Sequence, residues 1–145
     1  MKILLVNGPN LKALGTREPA IYGHETLDQI VSRVKAAAAA KGVALDAVQS
    51  DIEGELVAVI NAARGVYDGI VINPAAYTHT SVALRDAIAA SGVTTVEVHL
   101  SNTHKREGFR HASLTAPVCV GQVMGFGGAG YLLALDGLLD VLKTK

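Results

Sequence analysis

Two pairs of side chains in this sequence are suited to moving protons. Arg17 and Tyr22 stand five positions apart in Leu14-Gly15-Thr16-Arg17-Glu18-Pro19-Ala20-Ile21-Tyr22-Gly23. A free phenol titrates near pH 10, with a pKa of about 10, and is a poor base at neutral pH. A guanidinium beside it favours the phenolate. The same two residues would equally suit a solvated arginine and a packed tyrosine on a surface loop. The second pair is Glu97 and His99, two apart and so on one face of any strand that carries them. A carboxylate beside an imidazole favours the protonated ring and fixes its tautomer, which equips His99 as a general acid. A structural ion pair is the other reading.

Further polar residues recur where apolar runs stop. One run ends in Asn7-Gly8-Pro9-Asn10, another in Asn73-Pro74-Ala75-Ala76-Tyr77-Thr78-His79-Thr80-Ser81, and a third in Glu97-Val98-His99-Leu100-Ser101-Asn102. Singly, Asn73 could satisfy a turn, and Thr80 or Ser81 could cap a helix. Together they deliver Asn, His and Ser to one edge of a sheet. Beyond them, Ser101 to Arg110 carries four cationic or imidazole side chains. The forked guanidinium of Arg110 suits a carboxylate, while a solvated turn accounts for His104 and Lys105.

The elements that must position these groups alternate between strand and helix. Strands are predicted at Lys2–Asn7, Ala44–Gln49, Gly69–Asn73 and Thr94–His99, with a short fifth at 118–120. Helices are predicted at about 26–41, 54–64, 81–91 and 130–142. Thr26 and Gln29 have the spacing of a capping box. Gly-Ile-Val-Ile-Asn reads as a strand buried on both faces. Such alternation implies right-handed βαβ units and a parallel sheet. The expected fold is α/β, a flavodoxin-like three-layer sandwich with a five-stranded parallel sheet, forming one catalytic domain over 1–145. Ligands of such folds bind at the carboxyl ends of the strands. No linker, repeat or low-complexity segment interrupts the pattern.

With 145 residues, half of them hydrophobic, the chain can fill one core and leave apolar surface for an oligomer. Thirteen basic residues balance thirteen acidic ones. That argues against nucleic acid or a membrane surface as partner. Cys119 is the only cysteine, so no intramolecular disulfide forms, and its apolar neighbours predict an inert core thiol. No signal-peptide pattern precedes the first strand, and no apolar stretch approaches the roughly 18 residues of a membrane span, so the cytoplasm is the expected compartment. Gly125-Phe126-Gly127-Gly128-Ala129-Gly130 has the spacing of a dinucleotide fingerprint, but no βαβ unit or acidic residue follows it at the required distance. Close backbone packing is the expected use of these glycines. The histidines show no metal-ligand spacing, so no metal site is expected.

The motifs together resemble the type II 3-dehydroquinate dehydratases, or type II dehydroquinases. The resemblance rests on the segments quoted above with Leu11, Gln49-Ser50-Asp51, Arg106, Phe109-Arg110, Gly130-Tyr131 and Leu133-Ala134-Leu135, in the family's order over nearly the whole chain. It implies a cofactor-free trans-dehydration of 3-dehydroquinate to 3-dehydroshikimate in the shikimate or quinate pathway. Tyr22 would remove the proton alpha to the ketone, with Arg17 keeping it ionised, helped by Arg110. Asn10 would hold a water that stabilises the enolate. His99, oriented by Glu97, would protonate the departing hydroxyl. Asn73, His79, Arg110, Leu100 and Ser101 would bind the small-molecule substrate, and Asp86 would reach the site from a neighbouring subunit of a homo-oligomer, a dodecamer built from trimers.

This chemistry needs one base, one acid and electrostatic stabilisation of an enolate. The loop at about 11–23 is expected to close over the substrate as a lid. Lys12-Ala13, Gly108 and Ala112 depart from the family pattern without touching a residue assigned a role. Two other classes remain open: a non-catalytic phosphate- or nucleotide-binding module using the glycines at 125–130, and an enzyme-derived subunit without activity.

Overall fold

The apolar runs form a single sheet. The computed structural model describes the backbone of all 145 residues and every side chain except that of Tyr22. Strands β1 (Lys2–Asn7), β2 (Ala44–Gln49), β3 (Gly69–Asn73), β4 (Thr94–His99) and β5 (Gly121–Met124) are all parallel and lie in the order β2-β1-β3-β4-β5. This is the flavodoxin-like order, with the direction of winding reversing between β1 and β3. β3 and β4 are buried throughout; the apolar run of β3 fits cover by helices on both faces, and β4 buries Glu97 and His99 among its valines.

Helices α2 (Leu27–Ala40) and α5 (Ala129–Lys143) cover one face, and α3 (Glu53–Ala62) and α4 (Val82–Ser91) the other. The predicted capping box opens α2: the Gln29 amide donates to Thr26 Oγ1 at 3.2 Å, and the Thr26 amide donates to Gln29 Oε1 at 2.9 Å. Ser81 caps α4 by accepting from the Leu84 amide at 2.9 Å. Ile3, Leu5, Val71, Val98 and Tyr131 belong to the α2/α5 core, and Leu4, Val6, Ile70, Ile72, Leu56 and Ile60 to the α3/α4 core.

Two predicted elements are corrected. The fifth strand lies at Gly121–Met124, three residues beyond 118–120. Ala116–Val118 is instead a 3-10 turn with Pro117 at its second position, and Val118 and Cys119 pack against the α3/α4 core from that turn. The polar loop also contains a one-turn helix, α1 (Pro19–Tyr22), led by Glu18 in the left-handed region with Pro19 in the first turn. Cys119 is half-buried at a core rim. Burial, aided by the charge of Glu97, pushes its thiol up to about 12, so it stays protonated at neutral pH.

The ends of the polar loop meet. Gly15 has φ +91°, and a Cβ there would fall 2.8 Å from the carbonyl oxygen of His24. Leu11 and Leu14 anchor the loop's entrance in the core and Leu27 its exit, whereas residues 16–18 are exposed. The glycine run at 125–130 joins β5 to α5. Gly130 lies against Val98 there, in the close packing the sequence predicted. Among the described residues, no helix is long and apolar enough to cross a membrane.

Candidate active site

The carboxyl ends of β1, β3 and β4 converge on one cleft of about 90 Å³. The two central loops touch at Gly8, where a Cβ would sit 2.5 Å from the Pro74 carbonyl oxygen. The Gly8 amide donates to the Asn73 carbonyl at 2.8 Å. Only glycine allows this approach. Of the predicted site residues, Asn10, Arg17, Asn73, His79, His99, Leu100, Ser101 and Arg110 all line the cleft. Glu97 lies behind His99, fully buried. Asp86 is exposed on α4 and is no part of this chain's cleft. The side chain of Tyr22 lies outside the described residues, so its pairing with Arg17 is not described.

Glu97 and His99 are joined as their shared strand face predicts, with Oε2 and Nε2 2.9 Å apart. The carboxylate has many more partners. Oε1 accepts from Thr78 Oγ1 at 3.0 Å and from the Thr115 hydroxyl. Ser113 Oγ lies 3.2 Å from Oε1 and 3.0 Å from Oε2, and Gln122 Nε2 donates to Oε2 at 2.6 Å. Burial alone would raise the carboxyl pKa. The hydrogen bond and charge of His99, with the hydroxyls of Thr115 and Thr78, outweigh that and hold it below its ordinary value. An ionised carboxylate only accepts, so Nε2 of His99 carries a proton and donates it.

Asn73 is fixed at both ends of its amide. Nδ2 donates to the Tyr131 hydroxyl at 2.8 Å, which donates onward to Asn7 Oδ1 at 2.8 Å. Oδ1 accepts from the Ala75 amide at 3.0 Å. That bond supports Ala75 at φ 53°, a left-handed conformation that costs a non-glycine residue about 1 kcal/mol. Asn73 therefore satisfies its turn, as one reading of the sequence has it, and keeps one proton and one lone pair for a ligand. Asn10, with φ 68°, is held through its amide by Asp51 Oδ1 at 2.9 Å. Asp51 also accepts from Gln49 Nε2 at 3.1 Å, and Gln49 reaches the Gly8 carbonyl at 3.1 Å.

On the far wall, His79 Nδ1 donates to the Ala112 carbonyl at 2.8 Å, leaving Nε2 as the other ring nitrogen. Because the partner is backbone, the departure at Ala112 leaves the bond intact. Arg110 is more engaged than its expected role suggests: its Nε pairs with the carboxylate of Glu107, and its guanidinium lies 4.9 Å from the Phe109 ring centroid. Arg106 lines the cleft too, a cation outside the predicted site set. Lys12 is exposed and does not line the cleft, and a Cβ at Gly108 would meet nothing within 4 Å. No group of three or more His, Cys, Asp or Glu among the described residues could hold a metal.

The family model for class II dehydroquinases matches residues 1–139. The chain belongs to that family. It is 59% identical over 143 residues to a 3-dehydroquinate dehydratase from Jannaschia sp., covering 99% of this chain and 97% of the relative. It is 57% identical over 145 residues to one from Prochlorococcus marinus, covering 100% and 97%. The solved type II dehydroquinase from Butyrivibrio crossotus superposes with a TM-score of 0.94 at 48% identity, covering 96% of this chain and 97% of that one.

In this class II dehydroquinase, the Asn73–Tyr131–Asn7 thread ties α5 to the ends of β1 and β3. Tyr131 is fully buried, so removing its hydroxyl strands both partners away from water. Tyr131→Phe is expected to lower stability by about 1–3 kcal/mol, read by chemical denaturation. A variant as stable as the parent would show that the thread contributes nothing.

Proposed function

We propose that the cleft dehydrates 3-dehydroquinate to 3-dehydroshikimate through an enolate. The observation that supports this most directly is His99: a cleft-lining imidazole whose Nε2 proton is given to a buried, ionised glutamate. A ring held in that way can load a second proton on its other nitrogen and deliver it to a leaving hydroxyl. Tyr22, as phenolate, takes the proton alpha to the ketone, and the electron pair moves onto the ketone oxygen. Arg17, which lines the cleft, keeps the phenolate ionised with help from Arg110. Asn10 holds a water against the enolate oxygen, placed by the Asp51 bond to its backbone. The enolate then re-forms the ketone and expels the hydroxyl, which leaves as water with the proton from His99.

Asn73, His79, Arg110, Leu100 and Ser101 bind the ring's hydroxyls and carboxylate. Asp86, exposed on α4, enters a neighbouring protomer's cleft in a dodecamer of trimers. The loop at about 11–23 acts as a lid that pivots where Gly15 meets His24, excluding water when it closes. One catalytic domain over 1–145 carries all of this. The enzyme works in the cytoplasm, in the shikimate or quinate pathway, without a cofactor.

The deciding experiment is a turnover assay on purified protein with 3-dehydroquinate, free of added metal and nucleotide, following the absorbance of the conjugated enone. Steady product formation is expected. A folded sample that forms no enone would overturn the reading and direct the search to phosphate or nucleotide ligands.

A further inference from the structure

We propose that Gln122 is a positioning residue for this reaction: with the hydroxyls of Thr78, Ser113 and Thr115 it cages the Glu97 carboxylate as a pure acceptor, and so assigns the proton of His99 to Nε2. The proposal rests on the dehydration reading above. Gln122 is the cross-strand neighbour of Glu97, since the two are Cα partners in the β4–β5 register. Its amide nitrogen lies 2.6 Å from Glu97 Oε2, the oxygen that also receives His99. The short distance is that of a charge-assisted bond.

The arithmetic of donors singles out Gln122. A carboxylate offers about four lone-pair sites. Five groups approach Glu97: the imidazole, the amide and three hydroxyls. The hydroxyls also contact one another, Thr78 with Ser113 at 2.8 Å, Thr78 with Thr115 at 2.7 Å, and Ser113 with Thr115 at 3.2 Å. Their protons can therefore turn from the carboxylate to a neighbouring oxygen. The amide of Gln122 has no such partner among the described residues, so its proton is committed to Oε2. It occupies one flank of that oxygen and leaves the other to His99.

The ionisable groups around Glu97 are few. His99 faces it from its own strand, and Cys119 approaches from the segment ahead of β5 with a neutral thiol. On the Gln122 side, a second cavity of about 130 Å³ is shared with His79, His99, His104, His111 and Arg110. No second carboxylate stands in this shell among the described residues, so Gln122 meets Glu97 on that flank as a neutral donor.

The test uses Gln122→Met, which keeps length and loses the donor, and Gln122→Glu, which places a second carboxyl against the first. Gln122 is exposed on an edge strand, so both variants are expected to fold with melting temperatures within a few degrees of the parent. The sign of the pH effect follows from Glu97. Its carboxyl is held below the ordinary 4.5, so the catalytic pair is intact above that value and is lost as pH falls. Losing a donor raises the pH at which Glu97 takes up a proton. The pH at which Glu97 takes up a proton, read by 13C NMR of labelled glutamate carboxyls assigned against Glu97→Gln, is expected to move up by about one pH unit in Gln122→Met. It should move further in Gln122→Glu, because two carboxylates in contact share one proton. A Glu97 titration that coincides with the parent's in both variants would overturn the proposal. Solid-state 15N NMR of histidine-labelled parent protein, assigned against His99→Asn, does not depend on turnover. Protonation of the neutral His99 ring at Nε2 supports the cage even if 3-dehydroquinate is not the substrate, and protonation at Nδ1 overturns it.

Discussion

His99→Asn is expected to dehydrate 3-dehydroquinate about 10²–10⁴-fold more slowly than the parent, with a much smaller change in KM. In the proposed mechanism the imidazole gives the departing hydroxyl its proton, and asparagine cannot do so at neutral pH. The loss should be chemical and not structural. Glu97 keeps its bonds from Thr78, Ser113, Thr115 and Gln122 when His99 is gone, so its buried charge remains solvated by the protein. Melting temperature and kcat measured on the same preparation separate the two effects. A kcat within tenfold of the parent would remove His99 from the role of acid.

Tyr22→Phe should cost at least as much, because it removes the proposed base. The substitution keeps an aromatic ring at the last position of α1 and takes away only the ionisable oxygen. The expected fall in kcat is about 10²–10⁴-fold or more, and substrate affinity should change little. The two variants can be told apart with substrate deuterated at the carbon alpha to the ketone. His99→Asn still has its base, so it should release deuterium into water without forming enone. Tyr22→Phe should release none. Washout by the Tyr22→Phe protein would assign the base to another residue.

β1 and β3 were legible from continuous apolar runs, and β2 and β4, though interrupted by Asp46 and Glu97, from short segments of strand length between turn residues; all four end at Asn, Gln or His. The fifth was not, and the reason is local. Val118-Cys119-Val120 is apolar enough for a strand, yet Pro117 sets a 3-10 turn that feeds Val118 and Cys119 into the α3/α4 core and leaves Val120 exposed. The edge strand that follows is short and mostly exposed, so hydrophobicity does not mark it. That displacement of three residues also hid Gln122, whose place opposite Glu97 depends on the register of β5.

The site divides in the same way. Glu97 with His99 was readable from the period of a strand, and the cleft gathers the strand-end residues that the sequence grouped. The cage could not be read, because its members come from positions 78, 113, 115 and 122 and meet only once the sheet order is known. Asp51 and Tyr131 were noticed as pieces of a pattern without a task. The fold supplies one for each, holding the Asn10 backbone and the Asn73 amide. In α1, the left-handed Glu18 ahead of Pro19 gives no signal that propensity could detect.

The contact between Gly15 and His24 separates two evolutionary pressures. Because the segment between them leaves the body and returns to it at one point, an insertion there adds only a slowly growing closure entropy, about 0.6 kcal/mol per doubling of length. Substitutions or even a proteolytic nick in this stretch would leave the packing of Leu11, Leu14 and Leu27 untouched. A change in this stretch that spares Arg17 and Tyr22 is therefore expected to leave both the stability of the scaffold and the proposed proton transfer in place.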